Sequence, residues 1–481
     1  MRANISCAVL AGLALRAFFV LRFPSTDSGD APFYIELAWN WLKKGVYGLS
    51  INGQLTPVDM RAPGYPGFLA AVFAFAGNSQ RAVMLAQVIV DLATCFAIAL
   101  IAARLAPAAS RRRVALAGLW LAALCPFTAN YTAVVLTETL ATFLTAVAIL
   151  VLLEANRREM DGAWRAPSLS PWFLAGIVAG FGALVRPETP LLLVAVALVL
   201  LAKWFRPRDW RNLARAGVLM AAGLLLPLLP WAARNWGTLH EVQFLAPRYS
   251  ELPGEFPPLG FTAWTHTWLW RFGDVYLTLW KAEVESISID DIPPTAFDSP
   301  RERARVADLL DRYNQTLTLS RGLDREFGEI ARERTARHPL RTYLTIPLLR
   351  SLALWFTPRV ELLPYSGNLW PLGEEWRYDR QDFLATLGLA LVNGIYVTLA
   401  LAGAWIARGR PGWALLVAFI LLRTAFIAIT VETPEPRYVL ECFPAIIAFG
   451  AQAFSGTRRT AHFSSTGSGE SSAGKSEENV P

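Results

Sequence analysis

The chain has 481 residues, of which 54% are hydrophobic and only 17% are charged. Soluble proteins carry about 25% charged residues, so this composition excludes an ordinary soluble enzyme and indicates a multi-pass membrane protein. The net charge of +7 does not require a nucleic-acid partner, because cytoplasmic loops of membrane proteins collect arginine and lysine. The four cysteines lie in apolar runs without short paired spacings, which predicts neither a zinc site nor a disulfide framework.

The first apolar segment, residues 5–21, lacks a small-residue cleavage site, so it predicts a membrane span and not a removed signal peptide. A polar loop follows at residues 24–79. In this loop Asp27, Asp30 and Tyr34 are spaced three and four residues apart, so one helix face would carry all of them. Asp30 then either caps this helix or offers its carboxylate for chemistry, and the residues alone leave both roles open.

Pro32 and Gly45 predict where the loop helix begins and ends. Proline suits the first turn of a helix, and glycine suits the position just beyond the last turn. Farther along the loop, the apolar run 63–76 is too short for a span of about 20 residues. It predicts a helix that lies in the membrane interface.

Apolar segments and arginine-bearing turns alternate through much of the remaining chain. Basic turns mark the cytoplasmic side, so the first polar loop and the hairpin tips are expected outside. The predicted spans after the loop are 81–105, 114–128, 133–153, 173–185, 191–204, 217–231, 383–406, 413–429 and a last one beyond the outer segment 431–438. With the first span this makes an all-α polytopic fold of about ten transmembrane helices.

No clear span alternates between residues 235 and 382. The apolar piece 342–356 predicts an interfacial helix, because a single extra span would break the count of inside and outside loops. A second hidden span at 261–280 would restore the count with twelve spans, and this alternative stays open. The charged run 301–338 predicts a mostly solvated helix.

Ionisable side chains concentrate at the outer ends of these segments. Charges at membrane depth are costly, so they indicate a functional site by default. Each could be an ordinary ion pair or helix cap, but several outer segments share the same polarity. Arginine forks hold phosphate oxygens and a carboxylate accepts a proton, so the pattern favours a reaction on an anionic lipid phosphate. The candidates are Asp27, Asp30, Asp59, Arg61, Glu138, Arg186, Glu188, Arg234, Glu432, Glu435 and Arg437.

Seven stretches, taken in their order, resemble the GT-C membrane glycosyltransferases of the bacterial kind related to protein O-mannosyltransferases and the lipid A aminoarabinose transferase. The stretches are GDAPFYIELAWNWLKKGVYG, MRAPGYPGFLAAVFAFAG, LTETL, VRPE, PWAARNW, ARHPLRTY and PEPRY. This resemblance implies a GT-C fold with periplasmic interfacial helices in a bacterial inner membrane. It also implies an inverting transfer of a sugar from a polyprenyl-phosphate donor to a glycan, lipid or protein acceptor in the periplasm.

Individual residues acquire roles through the resemblance. The family's catalytic base is an acid four residues before a tyrosine, which matches Asp30 and Tyr34. Its contact to the donor phosphate is a basic residue before a double proline, which matches Arg61, although a single proline follows Ala62 here. No cofactor is certain, and a divalent metal is allowed, but Ala31 stands where some relatives have a second acid. The other substrate-binding candidates are Asp27, Glu138, Arg186, Glu188, Arg234, Arg437 and Tyr438.

Two other functions stay open. A transporter or flippase for a lipid-linked or small solute would place interrupted helices near the midplane and would often repeat its halves. Here no repeat is visible and polar residues gather on one face, which favours an enzyme. A non-catalytic assembly factor would use residues 235–382 as a platform and would not need Asp30.

The predicted organisation has four parts, with membrane lipids, the donor and the acceptor as partners and no nucleic acid. They are an N-terminal transmembrane module, 1–234, with its catalytic loop, 24–79; a periplasmic and interfacial segment, 235–382; C-terminal transmembrane helices, 383–456; and a disordered cytoplasmic tail, 457–481. The second part carries four aromatic side chains that could stack on sugar faces or anchor an interfacial helix. They are Trp264, His266, Trp268 and Trp270.

Overall fold

The computed structural model describes residues 2–25, 29–160, 170–204, 210–248 and 256–456. Within these ranges the chain is predominantly helical, as predicted, with a single two-stranded hairpin. Six helices of at least 18 residues are apolar enough to cross a membrane, and a pair bent by 51° would make a seventh span. The chain is therefore a multi-pass membrane protein. The predicted cytoplasmic tail and Asp27 lie outside the described residues.

The N-terminal part begins with one span, continues with the elements of the first loop, and then returns to the membrane. Its elements are α1 (Arg2–Arg22), α2 (Ala31–Lys44), β1 (Gly48–Ile51), β2 (Gln54–Pro57), α3 (Gly64–Ala76), α4 (Gln80–Leu105), α5 (Arg111–Ala123), α6 (Pro126–Ala129) with a 3₁₀ turn (Asn130–Ala133), α7 (Glu138–Met160), α8 (Pro171–Val185), α9 (Leu191–Trp204) and α10 (Trp210–Leu239). Those of full spanning length are α1, α4, α7 and α10, and α5 with α6 is the bent pair.

The C-terminal part begins with helices that are short or highly charged. Its helices are α11 (Leu259–His266), α12 (Phe272–Leu277), α13 (Pro300–Thr316), α14 (Arg321–Arg337), α15 (Ile346–Trp355), α16 (Leu372–Tyr378), α17 (Arg380–Ile406), α18 (Trp413–Thr430) and α19 (Phe443–Gly450). Full spanning length is reached by α17 and α18. Of the ten predicted spans, six correspond to helices of full spanning length and a seventh to the bent pair. The other three correspond to α8, α9 and α19, which have 15, 14 and 8 residues and are shorter than a full span.

The first loop folds as a helix, a hairpin and a second helix. Pro32 lies in the first turn of α2, and Gly45 ends this helix with φ of 70° and a hydrogen bond to the Trp41 carbonyl, so both predicted signals are confirmed. The strands β1 and β2 pair in antiparallel fashion around Asn52 and Gly53. Both of these residues have positive φ, as a two-residue hairpin turn requires.

Two short apolar helices carry side chains that no part of the described chain covers. Phe75 in the 13-residue α3 is 95% exposed. Leu348 and Leu352 in the 10-residue α15 are more than half exposed. Helices of these lengths do not cross a bilayer, so their exposed apolar faces fit the interfacial position predicted for both segments.

Glycines bring α8 and α10 into backbone contact. A Cβ added to Gly176 would lie 2.3 Å from the Met220 carbonyl oxygen, and one added to Gly223 would lie 2.2 Å from that of Phe173. Small residues at facing positions let membrane helices approach this closely. The contact lies in the first half of α8 and fixes this helix against α10, and α8 leads directly into Arg186 at its other end.

Helices α11, α13 and α14 enclose a core of their own, and we call residues 256–337 the outer domain. Trp264 and Trp268 are 0% and 1% exposed in this core, so both interpretations of these side chains, sugar stacking and interfacial anchoring, are wrong. Trp270 lies beneath the guanidinium of Arg271. The hidden span at 261–280 is also wrong, because this segment contains α11 and α12 with eight and six residues.

Candidate active site

Asp30 occupies the N-cap position of α2, yet its side chain makes no capping hydrogen bond. Its Oδ1 instead accepts a hydrogen bond from Nη2 of Arg61 at 2.7 Å. The Asp30 side chain is 32% exposed, whereas that of Glu138 is 1% exposed. Asp30 therefore pairs across the loop and can meet a substrate, while Glu138 is shielded.

Arg61 is held by the loop from which it projects. Its Nη1 donates to the Met60 carbonyl at 3.0 Å, and its own carbonyl accepts from the Tyr47 hydroxyl at 2.8 Å. The Tyr47 ring packs edge-on against Trp41 and Trp231, with centroids 5.3 and 5.1 Å apart. The packed ring thus fixes the backbone that presents Arg61 to Asp30.

Arg234 is a brace for the same loop. Its guanidinium donates to the carbonyls of Val58 at 2.9 Å and Tyr47 at 2.6 Å, and it lies over the Trp231 ring. Both carbonyls flank the hairpin. The structure therefore brings Arg234 to the loop backbone and does not bring it to Asp30.

Tyr34 lies one turn beyond Asp30, and its backbone N–H donates to the Asp30 carbonyl at 3.2 Å. The ring is 8% exposed and packs edge-on against Tyr65 at 5.1 Å. Burial raises the pKa of the Tyr34 phenol, and the negative charge of Asp30 raises it further. Tyr34 therefore stays protonated, and its hydroxyl can donate or accept a hydrogen bond.

A second wall of the site comes from the outer ends of three membrane segments. Glu138 is the first residue of α7, Arg186 follows α8 directly, and Arg437 lies in the 3₁₀ turn Pro436–Cys442. Arg186 Nη1 donates to Glu138 Oε1 at 3.2 Å, and Arg437 Nη1 is 3.8 Å from the same oxygen. One buried carboxylate thus holds two guanidinium groups side by side.

The Tyr438 ring packs against both of these arginines. The guanidinium carbons of Arg186 and Arg437 each lie 5.3 Å from its ring centroid, and its hydroxyl donates to Glu435 at 3.0 Å. Arg437 also forms an ion pair with Glu435, with Nε 2.5 Å from Oε2. Glu188 is more distant, at 3.9 Å from Arg186.

Sequence reasoning missed the layer beneath these residues. Glu441 is 1% exposed and accepts hydrogen bonds from Arg423 at 2.6 Å, Thr145 at 3.1 Å and Thr189 at 3.2 Å. Its Oε1 also lies 3.8 Å from Arg186. The available signal was a charge inside an apolar run, which applies to both Glu441 and Arg423.

The two walls interact electrostatically at Asp30. Burial raises the pKa of the Asp30 carboxyl, but the positive charges of Arg61, Arg437 and Arg186 outweigh burial and lower the pKa below its usual value. Asp30 is therefore ionised at neutral pH. Three guanidinium groups act on this reachable carboxylate, an arrangement that suits an anionic substrate next to a proton acceptor.

Glu361 is a second acid that sequence reasoning missed. It lies between α15 and α16 and accepts a hydrogen bond from the Tyr131 hydroxyl at 3.0 Å through Oε1. Its Oε2 is buried and has no hydrogen-bond partner among the described residues. Burial raises the pKa of the Glu361 carboxyl, although Arg359 and Tyr131 oppose this effect.

The described carboxylates do not form a metal site. Across residues 2–25, 29–160, 170–204, 210–248 and 256–456, no group of three or more His, Cys, Asp or Glu side chains is arranged to hold a metal ion. Each acid of the site faces an arginine or a hydroxyl group instead.

Residues 60–231 match the family model of the dolichyl-phosphate-mannose-protein mannosyltransferases. The match runs from the loop end that carries Arg61 to Trp231 in α10, and it confirms the resemblance to GT-C membrane glycosyltransferases. No protein of curated function matches the sequence significantly.

Solved structures of the oligosaccharyltransferase from Archaeoglobus fulgidus resemble the chain. The complex of this enzyme, AglB, with an inhibitory peptide and a dolichol-phosphate is 14% identical, with a TM-score of 0.49 over 94% of this chain. The complex with Zn and sulfate is also 14% identical, with a TM-score of 0.47 over 92% of this chain. The chain spans about half of these relatives, 49% and 48% of their lengths.

Proposed function

We propose that this GT-C-type membrane protein is an inverting glycosyltransferase that moves a sugar from a polyprenyl-phosphate donor to a periplasmic glycan, lipid or protein. One observation carries the proposal: a reachable carboxylate, Asp30, pairs with Arg61, and the positive charges of Arg437 and Arg186 also lower its pKa. The family match over residues 60–231 supports a lipid-phosphate donor, because the family is described by one.

The chemistry needs both kinds of group. The acceptor hydroxyl gives its proton to Asp30 while its oxygen attacks the anomeric carbon of the donor sugar. The bond between that carbon and the phosphate oxygen breaks, and its electron pair leaves with the polyprenyl phosphate, which gains one negative charge. Guanidinium groups stabilise this charge as it develops, and attack from the side opposite the phosphate inverts the anomeric centre.

Arg61 has two partners in this mechanism. Without a donor its fork is bonded to Asp30, which keeps the carboxylate ionised but weakly basic. A donor phosphate competes for the same guanidinium, because arginine binds carboxylate and phosphate with the same geometry. Loss of the Arg61 hydrogen bond raises the basicity of Asp30 when the donor is present.

The decisive experiment replaces Asp30 with asparagine in purified protein reconstituted with lipid. Because Asp30→Asn removes the proton acceptor but keeps the size of the side chain, we expect a loss of sugar transfer of about 10²-fold or more, with donor binding retained. Asp59→Asn is the matched control, because Asp59 lies on the same loop but interacts electrostatically with Arg234 and Glu241 and not with Arg61. Wild-type turnover in Asp30→Asn would refute the assignment of the base.

The same preparation separates an enzyme from a transporter or flippase. An enzyme makes a new glycosidic bond. Mass spectrometry of the products detects this bond and also identifies the acceptor. A flippase moves the donor across vesicles and leaves it intact. In right-side-out bacterial inner-membrane vesicles, an impermeant acceptor reports whether the site faces the periplasm, and absence of transfer there would refute the proposed side.

A further inference from the structure

Gln87 lies inside the spanning helix α4, and the mechanism above does not use it. It is 1% exposed, in a helix whose composition is largely apolar. A polar side chain buried at membrane depth is expensive and therefore indicates a function by default. The contacts of this side chain show what that function is.

The amide of Gln87 has hydrogen-bond partners on both sides. Its Oε1 accepts a hydrogen bond from the Tyr65 hydroxyl at 2.8 Å. Its Nε2 donates to the carbonyls of Val134 at 2.7 Å and Thr132 at 3.3 Å. Backbone carbonyls only accept, whereas a phenol can donate, so the partners fix the orientation of the amide. A side-chain amide meets both requirements because it offers a donor and an acceptor at one position.

Tyr65 connects Gln87 to the first wall of the site, the loop that carries Asp30 and Arg61. It is fully buried at the start of α3, four residues after Arg61. Its ring packs edge-on against Tyr34 at 5.1 Å, and the Tyr34 backbone N–H donates to the Asp30 carbonyl at 3.2 Å. The hydrogen bond from Tyr65 therefore ties both partners of the ion pair to α4.

Gly64 brings the same stretch into contact with α8. A Cβ added to Gly64 would lie 2.6 Å from the Leu184 carbonyl oxygen, so the two backbones touch. Leu184 is two residues before Arg186. A shift of Tyr65 would therefore also disturb the end of α8, from which Arg186 enters the site.

The Gln87 amide also holds the segment that leads to Glu138. Val134 lies four residues before Glu138, in the short connection that leads into α7. Glu138 accepts a hydrogen bond from Arg186 at 3.2 Å and lies 3.8 Å from Arg437. A displaced Val134 carbonyl would therefore carry Glu138 and its two arginines with it.

We propose that Gln87 is a positioning residue that sets the spacing between the two walls of the site. One amide is bonded to Tyr65 of the first wall and to the Val134 carbonyl beside the second. The inference rests on the proposed function, because the spacing matters where a donor phosphate needs guanidinium groups from both walls. A displacement of about 1 Å in such a site can cost about 10²-fold in rate, although no reacting group is removed.

The test compares Gln87→Met with Thr94→Val in the full chain reconstituted with lipid. Methionine keeps the length of the side chain but donates no hydrogen bond. Thr94 is the matched control, because it is 1% exposed in the same helix and its hydroxyl donates to the Val90 carbonyl of that helix at 3.0 Å. We expect kcat/KM for sugar transfer to fall about 10- to 100-fold in Gln87→Met and to stay within about twofold of wild type in Thr94→Val.

The pH profile separates positioning from stability. Burial raises the pKa of the Asp30 carboxyl, and the charges of Arg61, Arg437 and Arg186 lower it. The last two belong to the second wall, so a wider spacing weakens their effect. We expect the acidic limb of the kcat/KM profile to move to higher pH in Gln87→Met. A limb that stays in place while thermal stability falls would identify a purely structural residue and overturn the proposal.

Hydrogen exchange followed by mass spectrometry reports on both walls without turnover. Gln87→Met should speed exchange in residues 61–68 and 131–138 together, and Thr94→Val should change neither segment. Faster exchange in only one segment, or in neither, overturns the proposal. A wild type that forms no glycosidic bond with any donor refutes the proposed transfer, and faster exchange in both segments then leaves the coupling of the walls standing.

Tyr65→Phe decides the question if Gln87→Met does not fold. This variant removes only the hydroxyl that donates to Gln87 and keeps the ring that packs on Tyr34. We expect the acidic limb to move in the same direction as in Gln87→Met, with a smaller loss of kcat/KM. A wild-type pH profile and wild-type exchange in Tyr65→Phe would overturn the proposal.

Discussion

At the scale of single residues, the ion pair of Asp30 and Arg61 joins the start of α2 to the segment that follows β2. The two residues are 31 positions apart in sequence, and the side chains of Arg61 and Asp30 are 16% and 32% exposed. In a partly buried ion pair, the cost of removing both charges from water offsets much of their attraction, so this pair is better explained by chemistry than by folding. Its main effect is on the protonation of Asp30.

The pH dependence of transfer tests that effect. Arg61 lowers the pKa of Asp30, and Asp30 must be ionised to accept a proton, so activity falls as the pH drops through this pKa. We expect Arg61→Gln to reduce kcat/KM and to move the acidic limb of its pH profile to higher pH. The same sign applies to stability: the contribution of the lowered pKa is present above the usual aspartate pKa and is lost as pH falls.

Arg234→Gln is the control for this profile. Arg234 contacts carbonyls of the same loop, but its charge is not among those that act on Asp30. Its removal should loosen the loop and leave the acidic limb in place. An unchanged limb in Arg61→Gln, or an equal shift in both variants, would contradict the coupling of Arg61 to Asp30.

At the scale of elements, the close contact of α8 with α10 determines where Arg186 emerges. The two backbones meet at Gly176 and Gly223, where a Cβ would lie within 2.3 Å of a carbonyl oxygen. Because the two backbones are in direct contact, any change in the packing of α8 on α10 also moves Arg186, the residue that follows α8. We therefore expect helix packing in the membrane to control the position of Arg186 in the second wall of the site.

Two alanine substitutions in α10 test this expectation. Gly223→Ala should destabilise the protein by about 1–3 kcal/mol, because the added methyl group collides with backbone. Gly217→Ala in the same helix meets nothing within 4 Å and should leave stability unchanged or raise it slightly. Thermal unfolding midpoints in detergent measure both. Equal midpoints for the two variants would show that the helices do not need this contact.

At the scale of the whole molecule, Arg350 connects the outer domain to the segment 431–438, which follows α18. It is fully buried and donates hydrogen bonds to the carbonyls of Leu269 at 2.7 Å, Val431 at 2.9 Å and Glu432 at 3.3 Å. A ring nitrogen of His266 lies 3.1 Å away. Residues 431 and 432 lead directly to Glu435 and Arg437, so this joint aligns the outer domain with the site.

Replacement of Arg350 tests the joint. Arg350→Met leaves buried carbonyls without donors, and hydrogen bonds to a charged group contribute about 1.5–3 kcal/mol each. We expect faster limited proteolysis between residues 256 and 356 and lower transfer activity. Arg332→Met is the control, because Arg332 lies on the exposed face of α14 in the same part of the chain. Wild-type proteolysis of Arg350→Met would contradict the role of Arg350.

The sequence by itself determined the fold class, the loop helix from Pro32 to Gly45, and the gathering of charges at the outer ends. Hydropathy, proline and glycine signals, and basic turns are local properties that survive without tertiary contacts. Only the tertiary structure decided which charges meet. In the structure, Asp30 pairs with Arg61 and makes no helix-capping hydrogen bond, and Arg234 binds the loop backbone. Glu361 and Glu441 contribute buried carboxylate oxygens that the sequence did not indicate. Pairing between distant elements depends on helix packing, and a residue's spacing along the chain does not encode it.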